Sequence, residues 1–112
     1  MSAVSPITAA AAARSLIEGG ALLVDVRSSG GRASAGAIPQ ALVVAKDDVA
    51  SFAQSQDPDR EIVVFCGSTD GSGPFVDYLD AHGFFAVSHV DGGFDALTSS
   101  GLAADAPTGQ PG

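Results

Sequence analysis

Apolar residues along this chain gather in short unbroken runs, and between the runs they recur at helical spacing. Residues 21–26 form one such run, continuous enough to predict a strand buried on both faces. Residues 61–65 and 84–90 form two more, rich in β-branched and aromatic side chains, and residues 38–44 turn into a shorter one. Helices are predicted at 9–18, with Thr8 as N-cap and Gly19-Gly20 as the stop, and at 46–54, where acidic residues come early. Two more are predicted at 75–83, ending at Gly83, and at 94–100, capped by Gly101. Ser28-Ser29-Gly30-Gly31-Arg32 reads as a loop followed by a brief helical turn at 33–36. Asp57-Pro58-Asp59-Arg60 and Asp91-Gly92-Gly93 read as turns.

Strands alternating with helices imply parallel pairing, with helices on both faces of one open sheet of about five strands, a three-layer α/β/α arrangement. A length of 112 residues suits one core. The domain is placed at 5–102, and residues 103–112, small, polar and proline-bearing, are expected to form a flexible tail. Hydrophobic content of 46% with 16% charged residues is that of an ordinary globular chain.

Charge then narrows the partners. Thirteen acidic residues against five Lys and Arg leave a net charge of -8, which repels phosphate backbones and anionic lipid. Neither nucleic acid nor a membrane is therefore an expected partner. The N-terminus has no basic start or signal core, and no run reaches the roughly 20 apolar residues of a membrane span. A cytoplasmic location is expected. Nothing in the pattern sets an oligomeric state.

The chemistry centres on Cys66, the one cysteine of the chain. It follows the run 61–65 and precedes Gly67-Ser68-Thr69-Asp70-Gly71-Ser72-Gly73-Pro74, which has the composition of a tight loop before a helix. A thiol between a strand end and a helix start meets free backbone N–H groups and the positive end of a dipole, which favour a thiolate. Ligands of open α/β sheets bind outside the carboxyl ends of the strands, where Cys66 falls. One cysteine makes no internal disulfide, and no Cys/His cluster has metal-ligand spacing, so neither a metal nor an organic cofactor is implied.

Four motifs in order resemble a rhodanese-like (sulfurtransferase) domain over about residues 5–102. Leu22-Leu23-Val24-Asp25-Val26-Arg27 is similar to that family's early strand ending in Asp-Val-Arg. Gly36-Ala37-Ile38-Pro39-Gln40-Ala41 resembles its Gly-His-Ile-Pro-Gly-Ala segment, and Glu61-Ile62-Val63-Val64-Phe65-Cys66 resembles the strand that delivers the active cysteine. Val90-Asp91-Gly92-Gly93-Phe94 is similar to its Glu-Gly-Gly turn. The resemblance implies a sulfurtransferase: Cys66 accepts a sulfane sulfur from a small donor, thiosulfate or a persulfide, becomes a persulfide, and passes the sulfur to a thiol or protein acceptor. Gly67, Ser68, Thr69, Asp70, Gly71 and Ser72 would cradle the sulfur through their N–H groups, helped by the Ser68 and Ser72 hydroxyls.

The loop also departs from the family pattern Cys-Arg-Ser-Gly-x-Arg-Ser. Ser68 and Ser72 match its serines, but Gly67 and Gly71 stand at the arginine positions and Asp70 is an acid. A loop without cations binds a doubly charged donor such as thiosulfate poorly, which favours a less charged donor or a protein persulfide. An arginine at Gly71 is then expected to improve thiosulfate turnover. Phosphatases and arsenate reductases of this general fold place an arginine six residues after the cysteine, where this chain has Ser72. Asp25 and Arg27 are expected to form a structural pair. Arg32 and Lys46, each in a segment after a strand, are the candidates to supply the missing cation from outside the loop. The rival function is a non-catalytic or weakly active binding and regulatory module.

Overall fold

The β-branched run at 62–65 yields the strand at the centre of the sheet. The computed structural model describes residues 7–67, 69–102 and 104, with only the backbone of Ser29, Arg32, Thr69 and Asp70. Strands β1 (Ile7–Thr8), β2 (Leu22–Asp25), β3 (Leu42–Val43), β4 (Ile62–Phe65) and β5 (Val87–Val90) form one sheet in the order β1-β5-β4-β2-β3. All four pairings are parallel. The expected five-stranded parallel sheet is therefore present, with β4 in the middle and every strand running toward the same edge.

Helices α1 (Ala10–Glu18), α2 (Ser29–Ala35), α3 (Val49–Ser55) and α4 (Thr69–Ala81) connect the strands, α5 (Gly93–Ser99) follows the last of them, and a 3-10 turn, Lys46–Asp48, leads into α3. Alternation along the buried strands divides the core in two. Val24, Ile62 and Val64 pack with Phe52 of α3 and Phe75, Val76 and Leu79 of α4. Leu23, Val63 and Phe65 pack on the other face with Ala13 of α1 and Phe94 and Leu97 of α5. These are the three layers.

Several boundaries differ from the sequence expectation, each for a tertiary reason. Thr8 does not cap α1: it lies in β1, beside Val90, and its carbonyl accepts from the Asp91 N–H at 2.9 Å. The segment 28–32 is not a loop. The Ser28 hydroxyl accepts from the Gly31 N–H at 3.1 Å, a side-chain cap that starts α2. Residues 84–86 do not belong to β5. The Phe84 N–H donates to the Leu79 carbonyl at 3.1 Å and Gly83 takes φ +93°, so both close the C-terminus of α4 in a Schellman turn. Phe84 is the buried apolar residue of that turn.

The largest difference lies beside Cys66. Helix α4 begins at Thr69, six residues before the expected start, and takes Pro74 inside it. Pro74 has no N–H for the carbonyl four residues back, and glycines at 71 and 73 are poor helix formers. Packing overrides that local weakness: Ser72 is fully buried, and its Oγ lies 2.8 Å from Nδ1 of His89 on β5. No helix among the described residues is long and apolar enough to cross a membrane. The expected tail, apart from residue 104, lies outside the described residues.

Candidate active site

The parallel sheet brings the ends of β2, β3, β4 and β5 to one edge, so their following residues meet there. Cys66 directly follows β4 and is 8% exposed. Its carbonyl accepts from the Phe94 N–H at 2.9 Å, which ties the start of α5 to the cysteine. Gly92, at φ 85°, and Gly93, at φ 62°, make the turn that permits this approach. The expected Asp91-Gly92-Gly93 turn is thus a structural support for one wall of the site.

A cleft of about 440 Å³ opens over Cys66 and Gly67. Ser28 and α2 residues Gly31 and Ser34 form one side, and Phe94 and Asp95 of α5 another, with Lys46 completing the rim. The volume falls within the range of small-molecule pockets. A second cleft of about 430 Å³ shares Arg27, Ser28 and Lys46 with the first and extends to Val43 and Asp47 beside the edge strand.

Helix α4 covers the sulfur with its first turn. A Cβ built on Gly71 would lie 2.6 Å from Cys66 Sγ, closer than any real side chain approaches, so only glycine lets the helix start this close. That contact changes the expectation for this position: an arginine at 71 would drive its own Cβ into the sulfur. The N–H groups of the first turn of this 13-residue helix point toward its N-terminal end, the arrangement that favours an anion there.

The residues expected to cradle a substrate divide in three. Gly67 lines the cleft, and Gly71 sits where any Cβ would collide with the sulfur. Ser68 lies outside the described residues, as do the side chains of Thr69 and Asp70. The Ser72 hydroxyl does not take the place expected of it. Because α4 starts early, this hydroxyl turns under the helix to His89, and with no exposure Ser72 is not part of the cleft surface.

Asp25 and Arg27 form the expected structural pair, with Nη2 to Oδ2 at 2.8 Å and both side chains almost fully buried. The guanidinium also donates to the Gly36 carbonyl at 2.9 Å and stacks 4.1 Å over the Phe94 ring. It thereby locks the end of α2 to the start of α5, two walls of the cleft. The Arg32 side chain lies outside the described residues. Lys46, the other candidate cation, reaches the site: its Nζ lies 3.4 Å from the position a Gly71 Cβ would take. Ser34 and Gly31 were not among the expected site residues, because the first part of α2 reads as loop and only 33–36 as a helical turn, and His89 was not expected as the partner of Ser72. The Ser28 cap and the two-residue alternation Val87–His89 were the available signals.

Residues 8–100 match the family model of the rhodanese-like domain. The chain belongs to that family. Among solved structures, it is 24% identical to the rhodanese-like domain of an Anabaena protein, covering 96% of this chain and 84% of that one with a TM-score of 0.77. A rhodanese-like domain protein from Staphylococcus aureus is 23% identical, with 88% and 96% covered and a TM-score of 0.72. A Rhodopseudomonas palustris protein of unknown function, described as a possible tyrosine phosphatase, is 21% identical, with 90% and 85% covered and a TM-score of 0.77. At these identities the structures share the fold.

Proposed function

We propose that the protein is a sulfurtransferase in which Cys66 carries the sulfur. The observation that supports this reading most is the placement of its Sγ at the base of a small-molecule cleft, under the first turn of α4 and against Gly71. In the first step the Cys66 thiolate attacks the sulfane sulfur of the donor. A bond forms between Sγ and that sulfur, the donor's own S–S bond breaks, and its electron pair leaves with sulfite or a thiolate. In the second step a thiolate of a small molecule or protein attacks the outer sulfur of the Cys66 persulfide and regenerates the Cys66 thiolate. No external oxidant or reductant enters. The α4 N–H groups would stabilise the negative sulfur in both steps, as an oxyanion hole does.

Gly67 and Gly31 add no side chains to the cleft lining, which suits a donor larger than thiosulfate, such as an organic persulfide. The acidic chain is not proposed to bind nucleic acid or a membrane, and a cytoplasmic setting suits a free thiol. Phosphoryl transfer is the weaker chemistry, because residues 67–73 contain neither Lys nor Arg to hold the equatorial oxygens.

Intact-mass measurement after incubation with thiosulfate, and separately with glutathione persulfide, tests the proposal. Gain of one sulfur atom, lost in Cys66→Ser, is expected with at least the persulfide. No adduct with either donor would overturn it in favour of a binding or regulatory module that retains the fold.

A further inference from the structure

The loop after Cys66 lacks a cation, yet the sulfur has one close by from another part of the chain. Cys66 Sγ and Lys46 Nζ lie 2.6 Å and 3.4 Å from the same point, the place a Gly71 Cβ would occupy. Their separation is thus within the ~4–6 Å over which a positive charge stabilises a negative one. Lys46 opens the 3-10 turn after β3, two strands away from β4 in the sheet, and it borders both clefts. It is exposed, and the ion pairs among the described residues, Arg14 with Glu18 and Arg27 with Asp25, do not involve it.

We propose that Lys46 is the specificity-determining cation of the Cys66 site. Its ammonium binds the anionic end of the donor and the terminal sulfur of the Cys66 persulfide; the donor's identity in this statement rests on the sulfur-transfer reading, whereas the charge relation to Cys66 does not. Gly71 and Lys46 form one device. Any side chain at 71 would occupy the gap through which the ammonium faces the sulfur, so the absence of a loop arginine and the presence of Lys46 go together. A lysine is a compact point charge on a flexible stem, without the two-pronged fork of arginine. It therefore selects for negative charge on the donor while imposing little on its shape, and the bare cleft around it admits a bulky organic anion.

The charge relation is read by alkylating Cys66, the chain's one cysteine, with anionic iodoacetate and with neutral iodoacetamide. The ratio of the two rates cancels the fraction of thiolate and reports the local field. Lys46→Met is expected to lower the iodoacetate-to-iodoacetamide ratio about three- to tenfold at low salt. Lys46→Arg should hold it within about twofold of the parent, and the Lys46→Met deficit should shrink near 0.5 M salt. A ratio unchanged in Lys46→Met overturns the proposal. Sulfur loading from thiosulfate and from glutathione persulfide, followed by mass in the same proteins, reports separately on the chemistry. Should the parent take no sulfur while Lys46→Met still lowers the ratio, the sulfur-transfer reading fails and Lys46 stands as the anion-selecting residue at Cys66. Should the parent load sulfur while the ratio stays fixed, the reverse holds.

Discussion

Two basic residues border the same cleft, and they live under opposite conditions. Arg27, at the end of β2, is buried, held by Asp25 and the Gly36 carbonyl, and stacked on Phe94. Lys46, past the end of β3, is exposed and faces the sulfur across Gly71. A buried charge must be paired or its desolvation is uncompensated, so Arg27 is committed to architecture. A solvated charge loses little by waiting for a ligand. The lesson is that distance to the nucleophile says less about function than whether the charge already has a partner inside the fold.

The sharpest way to break that contrast is Asp25→Ala. It leaves the Arg27 guanidinium buried without its carboxylate, and the expected loss is about 3–5 kcal/mol in urea unfolding. A loss below about 1 kcal/mol would mean that Arg27 escapes to solvent, and the division between the two cations would collapse.

Gly71→Ala comes next. Its new Cβ, 2.6 Å from Sγ, must displace either Cys66 or the start of α4, with overpacking expected to cost about 1–3 kcal/mol. The Cys66 alkylation rate should fall at the same time. The same collision predicts that Gly71→Arg gives no gain in thiosulfate turnover; a gain would show that the helix start moves aside to accept a side chain.

Ser72→Ala removes the hydroxyl that meets His89 Nδ1. The other ring nitrogen, Nε2, is buried and has no hydrogen-bond partner among the described residues. A stability loss of about 1–3 kcal/mol is expected, measured by denaturant midpoint at constant slope. An unchanged midpoint would show that water enters to satisfy the ring.

Lys46→Met should be the mildest for stability, within about 0.5 kcal/mol of the parent, while moving the alkylation ratio described above. A large stability loss instead would place Lys46 with Arg27 on the architectural side of the comparison.

Much of the fold was legible because its signals are local. The run at 62–65 is β-branched and continuous, that at 21–24 is apolar throughout, and Gly19, Gly83 and Gly101 mark helix ends that the structure retains. Asp25 and Arg27 could be paired on paper because they sit two residues apart at a strand end. The candidate site was legible only in outline. Ser72 looked like a substrate ligand because the loop's composition hides the early start of α4, and the partner of its hydroxyl, His89, lies 17 residues away. Lys46 was one candidate cation of two, and nothing in the residues around it reveals that it meets Gly71.

By itself the sequence determined the alternation of strands and helices, the parallel sheet that follows from it, and the position of Cys66 at a strand end before a helix. These rest on side-chain periodicity and backbone preference, which act over a few residues. Tertiary structure decided the pairing of β1 with β5, the first turn of α4, the direction of the Ser72 hydroxyl and the approach of Lys46 to the sulfur. Each of these joins groups far apart in the chain, and the free energy that fixes them comes from burial and pairing available only once the sheet has formed.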